Sequence, residues 1–141
     1  MKYGTIIAVD FDGTLCENIY PWAGKPNKVL IDWLNDMKKK HGAKIILWTC
    51  RSRKNLRYAV KWCKDHGLEL DAVNKNLKES IKKFGGDSRK VYADIYIDDK
   101  NLSSISLDRL NFNLPFNPDN NPISKLLLDM AKCATGTVDW S

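Results

Sequence analysis

Two pairs of aspartates are the residues of this sequence best suited to chemistry. Asp10 and Asp12 stand one residue apart in IIAVDFDGTL (6–15), and Asp98 and Asp99 end the segment DIYIDD (94–99). Each pair directly follows a run of apolar residues. A carboxylate can attack phosphorus, exchange a proton with a leaving oxygen or with water, and bind a divalent cation. These roles require that the fold bring the two pairs together.

The elements that position these residues are predicted to alternate between strands and helices. Four short apolar-rich runs predict strands at 5–10, 44–49, 68–73 and 94–99. Apolar residues at helical spacing predict a helix after the first strand and another after the second. Each of these helices ends at a His-Gly pair with basic residues nearby. The segment NLKESIKKF (76–84) predicts a third, shorter helix. Such alternation predicts an α/β fold with a parallel sheet. The helical stripes are Val29, Leu30, Trp33, Leu34 and Met37, and then Leu56, Ala59, Val60 and Cys63.

Parallel strands end at the same edge of a sheet, where ligand sites of open α/β sheets lie. This rule places both aspartate pairs and Thr49, which ends the second strand, at one edge. Four carboxylates there would repel one another unless a cation lay among them, and Mg²⁺ prefers such hard oxygen ligands. Gly13 would let backbone N–H groups approach a phosphate closely. The sequence therefore predicts a magnesium and phosphate site.

The composition favours one globular domain over residues 1–141. The chain is 43% hydrophobic and 28% charged, with a net charge of +6 that favours anionic ligands. It contains no apolar run of membrane-spanning length and no signal-peptide pattern, so we expect a cytoplasmic protein with no membrane partner. The scattered cysteines favour reduced thiols, with Cys50 expected to be buried. Residues 103–141 are predicted to form an extension with a terminal helix after Asn121.

Three segments resemble motifs of the haloacid dehalogenase-like (HAD) phosphohydrolase superfamily. VDFDGTL (9–15) resembles its first motif, ILWTCR (46–51) its second and IYIDD (95–99) its fourth, in the family's order and strand context, from about residue 4 to 102. The resemblance implies a three-layer Rossmann-like sheet with helices on both faces. The segment after Gly13 is predicted to be a short loop, so no cap domain is expected. Capless members have open sites, some closed by an oligomer partner, so a homo-oligomer is possible.

The resemblance also implies roles for individual residues. Asp10 would be the nucleophile and Asp12 the general acid and base of a Mg²⁺-dependent phosphomonoester hydrolase that forms an aspartyl-phosphate. Asp10, the backbone carbonyl of Asp12 and Asp98 would hold Mg²⁺, supported by Asp99. Thr49 would bind the phosphoryl oxygens. Asp12 favours a phosphatase over the dehalogenase branch, which differs at that position.

The phosphate-binding lysine has two candidates. Lys75 follows the third strand and has the usual spacing ahead of Asp98, whereas Lys90 resembles a lysine just before A-D-x-x-I-D-D in the deoxyribonucleotidase and capsule-type branches. Lys90 is our prediction because the local sequence match is closer. It can reach the site only if the chain descends through 91–94 and turns, so that the strand begins near Ile95; one straight strand would place it over about 20 Å away.

Several alternatives remain open from the sequence. The substrate could be a small phosphorylated metabolite or a nucleic-acid end, which the basic residues after the second strand could contact, although a solvated helix face is the plainer interpretation. A non-catalytic phospho-acceptor, like a response-regulator receiver, is a second possibility, but its acidic pair and acceptor come in a different strand order. Trp22 could cover a substrate or anchor the first loop. The basic residues are Arg51, Arg53, Lys54, Arg57, Lys61 and Lys64.

Overall fold

The structure is a computed structural model that describes residues 4–101. Its contacts divide the chain into one unit of Met1–Asp98 and a second of Asp99–Ser141, of which 99–101 are described. The predicted terminal helix lies outside the described residues. The elements in chain order are β1 (Ile6–Val9), β2 (Cys16–Ile19), β3 (Trp22–Pro26), α1 (Lys28–His41), β4 (Lys44–Leu47), α2 (Arg53–Asp65), β5 (Ala72–Val73), α3 (Lys78–Phe84) and β6 (Ile95–Ile97).

Four strands form a parallel sheet in the order β5-β4-β1-β6. In the central strand, Ile7 is in register with Ile45 of β4 on one side and Ile95 of β6 on the other. The parallel α/β fold predicted from the sequence is therefore confirmed. The third predicted strand is shorter than expected, because only Ala72 and Val73 of LELDAV form β5.

The central strand separates two apolar clusters. Successive side chains of a strand point to opposite faces, and Ile7 and Val9 belong to one cluster whereas Ile6 and Ala8 belong to the other. The first cluster includes buried residues of α1 and α2, and the second includes Leu77 and the segment before β6. Burial on both faces explains why the strand sequence is continuously apolar rather than alternating.

The helices begin and end at residues with a clear local reason. The side chain of Asn27 accepts a hydrogen bond from the Leu30 N–H and caps the start of α1. Gly42 ends α1 in the left-handed conformation, at φ 65°, as the His-Gly pattern predicts. His66 caps the end of α2 and stacks on Trp62 at 3.8 Å between ring centroids.

Within residues 4–101, no helix has the length and apolarity to cross a membrane.

The segment after Gly13 is a β-hairpin, so the prediction of a short loop there is wrong. Strands β2 and β3 pair antiparallel from Cys16 and Pro26 to Ile19 and Trp22. The hairpin was not predicted because it lacks an alternating apolar pattern, and most of its residues are exposed. Its position, directly after the first aspartate pair, makes it part of the surroundings of the site.

Candidate functional site at the carboxyl edge of the sheet

Backbone hydrogen bonds bring the ends of three strands together beside Asp10. The Asp10 N–H donates to the Ile97 carbonyl of β6 at 2.9 Å, and the Trp48 N–H donates to the Val9 carbonyl at 2.8 Å. Asp10 therefore lies between the carboxyl ends of β4 and β6. Because β4 and β6 lie on opposite sides of β1, this is the point where strand order reverses, the usual ligand position in open α/β sheets.

Three aspartates meet at this point. One carboxylate oxygen from each of Asp10, Asp98 and Asp99 lies within 4.8 Å of the other two, and all three residues are half-buried. The predicted convergence of the two aspartate pairs is therefore found for three of the four members. Three carboxylate oxygens at this spacing are the hard donor set that Mg²⁺ prefers, so the residues present fit this cation.

Asp12 has a different partner. The Arg51 guanidinium donates from Nε to Asp12 Oδ2 and from Nη2 to Asp12 Oδ1, both at 2.8 Å. The arginine side chain is only 1% exposed. The two neighbouring aspartates therefore have different surroundings. Asp10 belongs to the acidic cluster, whereas Asp12 forms a bidentate ion pair with Arg51. Neither the pairing nor the burial of Arg51 was predicted.

All five N–H groups of Arg51 donate hydrogen bonds. Besides Asp12, they reach the carbonyls of Pro21 at 2.8 Å, Trp22 at 3.1 Å and Asn55 at 3.2 Å. The hydrogen bond to Asp12 raises the pKa of Arg51 above its usual value, so the guanidinium stays charged. One side chain therefore joins Asp12, the hairpin and α2. Three aromatic rings lie within 4.8 to 5.7 Å of the guanidinium carbon: Phe11, Tyr20 and Tyr58.

The basic residues after β4 therefore divide into two kinds. Arg51 is buried, so its assignment to a solvated helix face is wrong. The other five are exposed, as that interpretation predicts: Arg53, Lys54, Arg57, Lys61 and Lys64. The pattern of charges alone could not separate them, since burial of Arg51 depends on a carboxylate 39 residues earlier in the chain.

Thr49 lies after β4, where the sequence places it, and two hydrogen bonds fix its loop. Its Oγ1 accepts from the Arg51 N–H at 3.1 Å, and its own N–H donates to Asn74 Oδ1 at 2.8 Å. Asn74 follows β5 with φ at 53°, in the left-handed region. Asn74 was missed from the sequence, although asparagine directly after a strand tolerates this conformation better than most residues.

The chain before β6 runs as the Lys90 prediction requires. The Arg89 side chain donates to the Asn74 carbonyl, near the end of β5, whereas Asp94 exchanges hydrogen bonds with Ile6 at the start of β1. The segment between them descends along the sheet, and β6 begins at Ile95. The Lys90 ammonium lies 5.9 Å from the Tyr96 ring centroid. The ion pairs found within residues 4–101 include none between Lys90 and Asp10 or Asp98, and its role stays a prediction.

A search of protein-family models gives no match to this chain, and a search of curated proteins gives none. A solved structure of a conserved protein from Bacteroides thetaiotaomicron matches with a TM-score of 0.63 and 36% sequence identity. The match covers 77% of this chain and 87% of that one. This chain belongs to the same family as that protein.

Two of the cysteines in this family member are buried and one is exposed. Cys16 and Cys63 are buried free thiols, whereas Cys50 is exposed, contrary to the prediction for it. Burial is the main reason that the pKa of Cys16 rises to about 11 and that of Cys63 to about 12. The two buried thiols are therefore protonated at neutral pH and are poor nucleophiles or metal ligands. Cys133 lies outside the described residues.

Asn74→Ala should destabilise the protein by about 2 to 3 kcal/mol, measured by urea unfolding. Alanine keeps the Cβ that is strained in the left-handed region but lacks the polar side chain that lets asparagine adopt it, and the change removes the hydrogen bonds with the Thr49 N–H and the Arg51 carbonyl. Asn74→Gly is the matched control, since glycine tolerates this φ and loses only the two side-chain hydrogen bonds. A glycine variant that is less stable than the alanine variant would contradict the role given to the backbone conformation.

Proposed function

We propose that this protein is a Mg²⁺-dependent phosphomonoester hydrolase that acts through an aspartyl-phosphate on Asp10. The observation that carries the proposal is the grouping of Asp10 with Asp98 and Asp99 at the strand-order reversal, next to a separately held Asp12. The order of the three sequence segments that resemble HAD motifs supports it. The finer fold assignment, a three-layer HAD-like sheet without a cap domain, is part of the same proposal.

In the first chemical step, a carboxylate oxygen of Asp10 attacks the phosphorus atom. The bond between phosphorus and the leaving oxygen breaks, and Asp12, which must enter this step protonated, donates its proton to that oxygen, which leaves as an alcohol. In the second step, Asp12 takes a proton from water as the water oxygen attacks the phosphorus of the aspartyl-phosphate. Inorganic phosphate leaves, and Asp10 is regenerated as a carboxylate.

The ion pair with Arg51 is compatible with this role for Asp12. A carboxylate has about four lone-pair positions, and the two hydrogen bonds from the guanidinium occupy two of them. The remaining positions can exchange a proton with the leaving oxygen or with water. Since Arg51 fixes both oxygens, it also fixes the direction in which Asp12 can transfer that proton.

The residues that would hold Mg²⁺ are Asp10, Asp98 and Asp99, together with the backbone carbonyl of Asp12. When bound, the cation would act as a Lewis acid and neutralise charge on the phosphoryl oxygens. Within the chain itself, Thr49 would donate a hydrogen bond to a phosphoryl oxygen. Gly13 adopts a positive φ of 76°, and its N–H donates to the Cys16 carbonyl at 2.9 Å, which closes the turn after β1.

The direct test of the metal assignment is chelation followed by readdition. EDTA should abolish hydrolysis of p-nitrophenyl phosphate and Mg²⁺ should restore it. Asp98→Ala should require at least about tenfold more Mg²⁺ for half-maximal rate, because one charged ligand is lost. Asp36→Ala, which changes an exposed aspartate of α1, is the control and should leave the requirement unchanged. Full activity in EDTA would show that the acidic cluster has another role.

A non-catalytic phospho-acceptor is separated from the enzyme by stoichiometry. Catalysis predicts many molecules of p-nitrophenol released per protein chain, whereas an acceptor gives one phosphoryl group per chain and then stops. A panel containing nucleotides, sugar phosphates and oligonucleotides with 5′ or 3′ phosphates then separates metabolite substrates from nucleic-acid ends. Activity confined to oligonucleotides would select the polynucleotide-end alternative.

Lys90→Ala should lower kcat/KM for p-nitrophenyl phosphate by at least about a hundredfold, and Lys75→Ala by less than about threefold. The physical reason is that an ammonium near the transferring group neutralises its developing charge. Both lysines are exposed, so neither change should alter the stability of the fold greatly. The comparison requires steady-state kinetics on the two variants side by side. The reverse ranking would transfer the phosphate-binding role to Lys75.

A further inference from the structure

The hairpin presents two large aromatic side chains to solvent. Tyr20 is 58% exposed and Trp22 is 64% exposed, on either side of Pro21 at the turn between β2 and β3. We call these two side chains the hairpin aromatic surface. Neighbouring exposed aromatic rings form an apolar patch of the kind that binds ligands or partners. Trp22 is therefore not the packed anchor of a loop that the plainer interpretation of the sequence suggests.

The hairpin aromatic surface is fixed in place by contacts with α2. The Tyr20 hydroxyl accepts a hydrogen bond from Asn55 Nδ2 at 2.8 Å. The Trp22 ring meets the Tyr58 ring edge to face at 5.9 Å, and the Tyr58 hydroxyl accepts a hydrogen bond from the Ala23 N–H at 3.3 Å. Rings held before a ligand arrives lose little freedom on binding, which favours a binding role.

The same surface lies beside the proposed general acid. The Tyr20 ring centroid is 4.9 Å from the guanidinium carbon of Arg51, and that guanidinium binds both oxygens of Asp12. In-line attack by Asp10 would place the leaving oxygen on the side of the phosphorus atom opposite Asp10, and Asp12 must reach that oxygen to give it a proton. The same guanidinium donates to the carbonyls of Pro21 and Trp22, so the hairpin turn and Asp12 are held together by one side chain.

We propose that the hairpin aromatic surface binds the leaving group of the substrate, and that this leaving group carries a planar aromatic ring. This inference rests on the proposed function. The substrate class is an aryl or nucleoside monophosphate, since a flat ring can stack on Tyr20 or Trp22 and remove their apolar area from water. A small polyol phosphate offers no such face and would leave both rings solvated.

The test measures binding without turnover, using phosphonates whose carbon–phosphorus bond resists hydrolysis. Calorimetry of the wild-type protein with Mg²⁺ should give an affinity for phenylphosphonate about tenfold higher than for methylphosphonate, as one ring–ring contact predicts. Tyr20→Leu and Trp22→Leu should each lower the affinity for phenylphosphonate at least about threefold and leave that for methylphosphonate unchanged. Tyr20→Phe keeps the ring and should retain the preference. Trp33→Leu, a half-exposed tryptophan of α1, is the control.

The outcomes distinguish this inference from the proposed function. Equal affinities of the wild-type protein for both phosphonates, or equal losses in the leucine variants, would overturn the aromatic leaving-group site. A dimer in sedimentation equilibrium that Tyr20→Leu dissociates, without a change in the affinity ratio, would assign the surface to self-association and also overturn it. A retained preference for phenylphosphonate without turnover of p-nitrophenyl phosphate would support the aromatic site and overturn the hydrolase.

Discussion

Asp10→Asn should lower the rate of p-nitrophenyl phosphate hydrolysis by at least about a thousandfold, the scale seen when a covalent nucleophile is removed. The amide is a poor nucleophile toward phosphorus and a weaker ligand for Mg²⁺ than a carboxylate. The fold should persist, because Asp10 is half-buried and the change preserves its shape. The measurement is steady-state kinetics at saturating Mg²⁺, with circular dichroism and a urea titration to verify folding.

Asp12→Asn provides the mechanistic comparison for this result. Its loss of rate should be about 10² to 10⁴-fold, the range for a general acid or base. Its Mg²⁺ requirement should stay near that of the wild type, because the proposed contact is a backbone carbonyl that the change leaves in place. Asp36→Asn is the neutral control. Retention of more than about a tenth of the wild-type rate in Asp10→Asn would contradict the covalent mechanism.

The parts of this site that could be predicted are those determined by strand order. Apolar runs ending in acids identify strands buried on both faces, and parallel strands must end at one edge. That argument alone brings Asp10, Asp98 and Asp99 together from segments almost 90 residues apart. It succeeds because it depends on backbone topology and not on the direction of any particular side chain.

The parts that could not be predicted depend on side-chain partners distant in sequence. Arg51 belongs to a run of basic residues that is otherwise solvent-exposed, and nothing local marks it for burial. It is buried because Asp12, two carbonyls of the hairpin turn and the Asn55 carbonyl of α2 together accept a hydrogen bond from every N–H of its guanidinium. The hairpin itself was missed for a related reason, since its residues contact Arg51 and α2 through polar and aromatic groups without an apolar alternation.

Lys90 is an intermediate case. From the sequence, it can reach the site only if the chain descends through 91–94 and the strand begins near Ile95, and the structure meets this condition. A straight strand through 91–97 would have placed this residue far below the site. The hydrogen bonds between Asp94 and Ile6 show that the chain has already reached the start of β1 by that point. The local sequence could suggest the descent only through its resemblance to other chains, because no turn residue such as glycine or proline marks it.

Arg51→Met should be the most destabilising single substitution at the site, lowering the free energy of unfolding by about 3 kcal/mol or more. Methionine retains much of the apolar stem but leaves Asp12 and the hairpin carbonyls without their donors, and removing one partner of a buried ion pair is strongly unfavourable. Urea unfolding measures the loss. The control is Arg57→Met on the exposed face of α2, which should change stability by less than about 0.5 kcal/mol. Arg51→Lys should cause a loss of stability between those of the two methionine variants, because an ammonium cannot reproduce the bidentate contact with Asp12.

A double-mutant cycle then shows whether Asp12 is the cause of that loss. If the unpaired carboxylate dominates, adding Asp12→Asn to Arg51→Met should recover about 1 to 2 kcal/mol, within the range for residues in direct contact. The amide carries no charge and therefore does not need the guanidinium to the same extent. Strict additivity of the two single changes would instead assign the effect of Arg51 to its hydrogen bonds with Pro21, Trp22 and Asn55. In that case Arg51 would stabilise the hairpin without positioning the proton-transferring group.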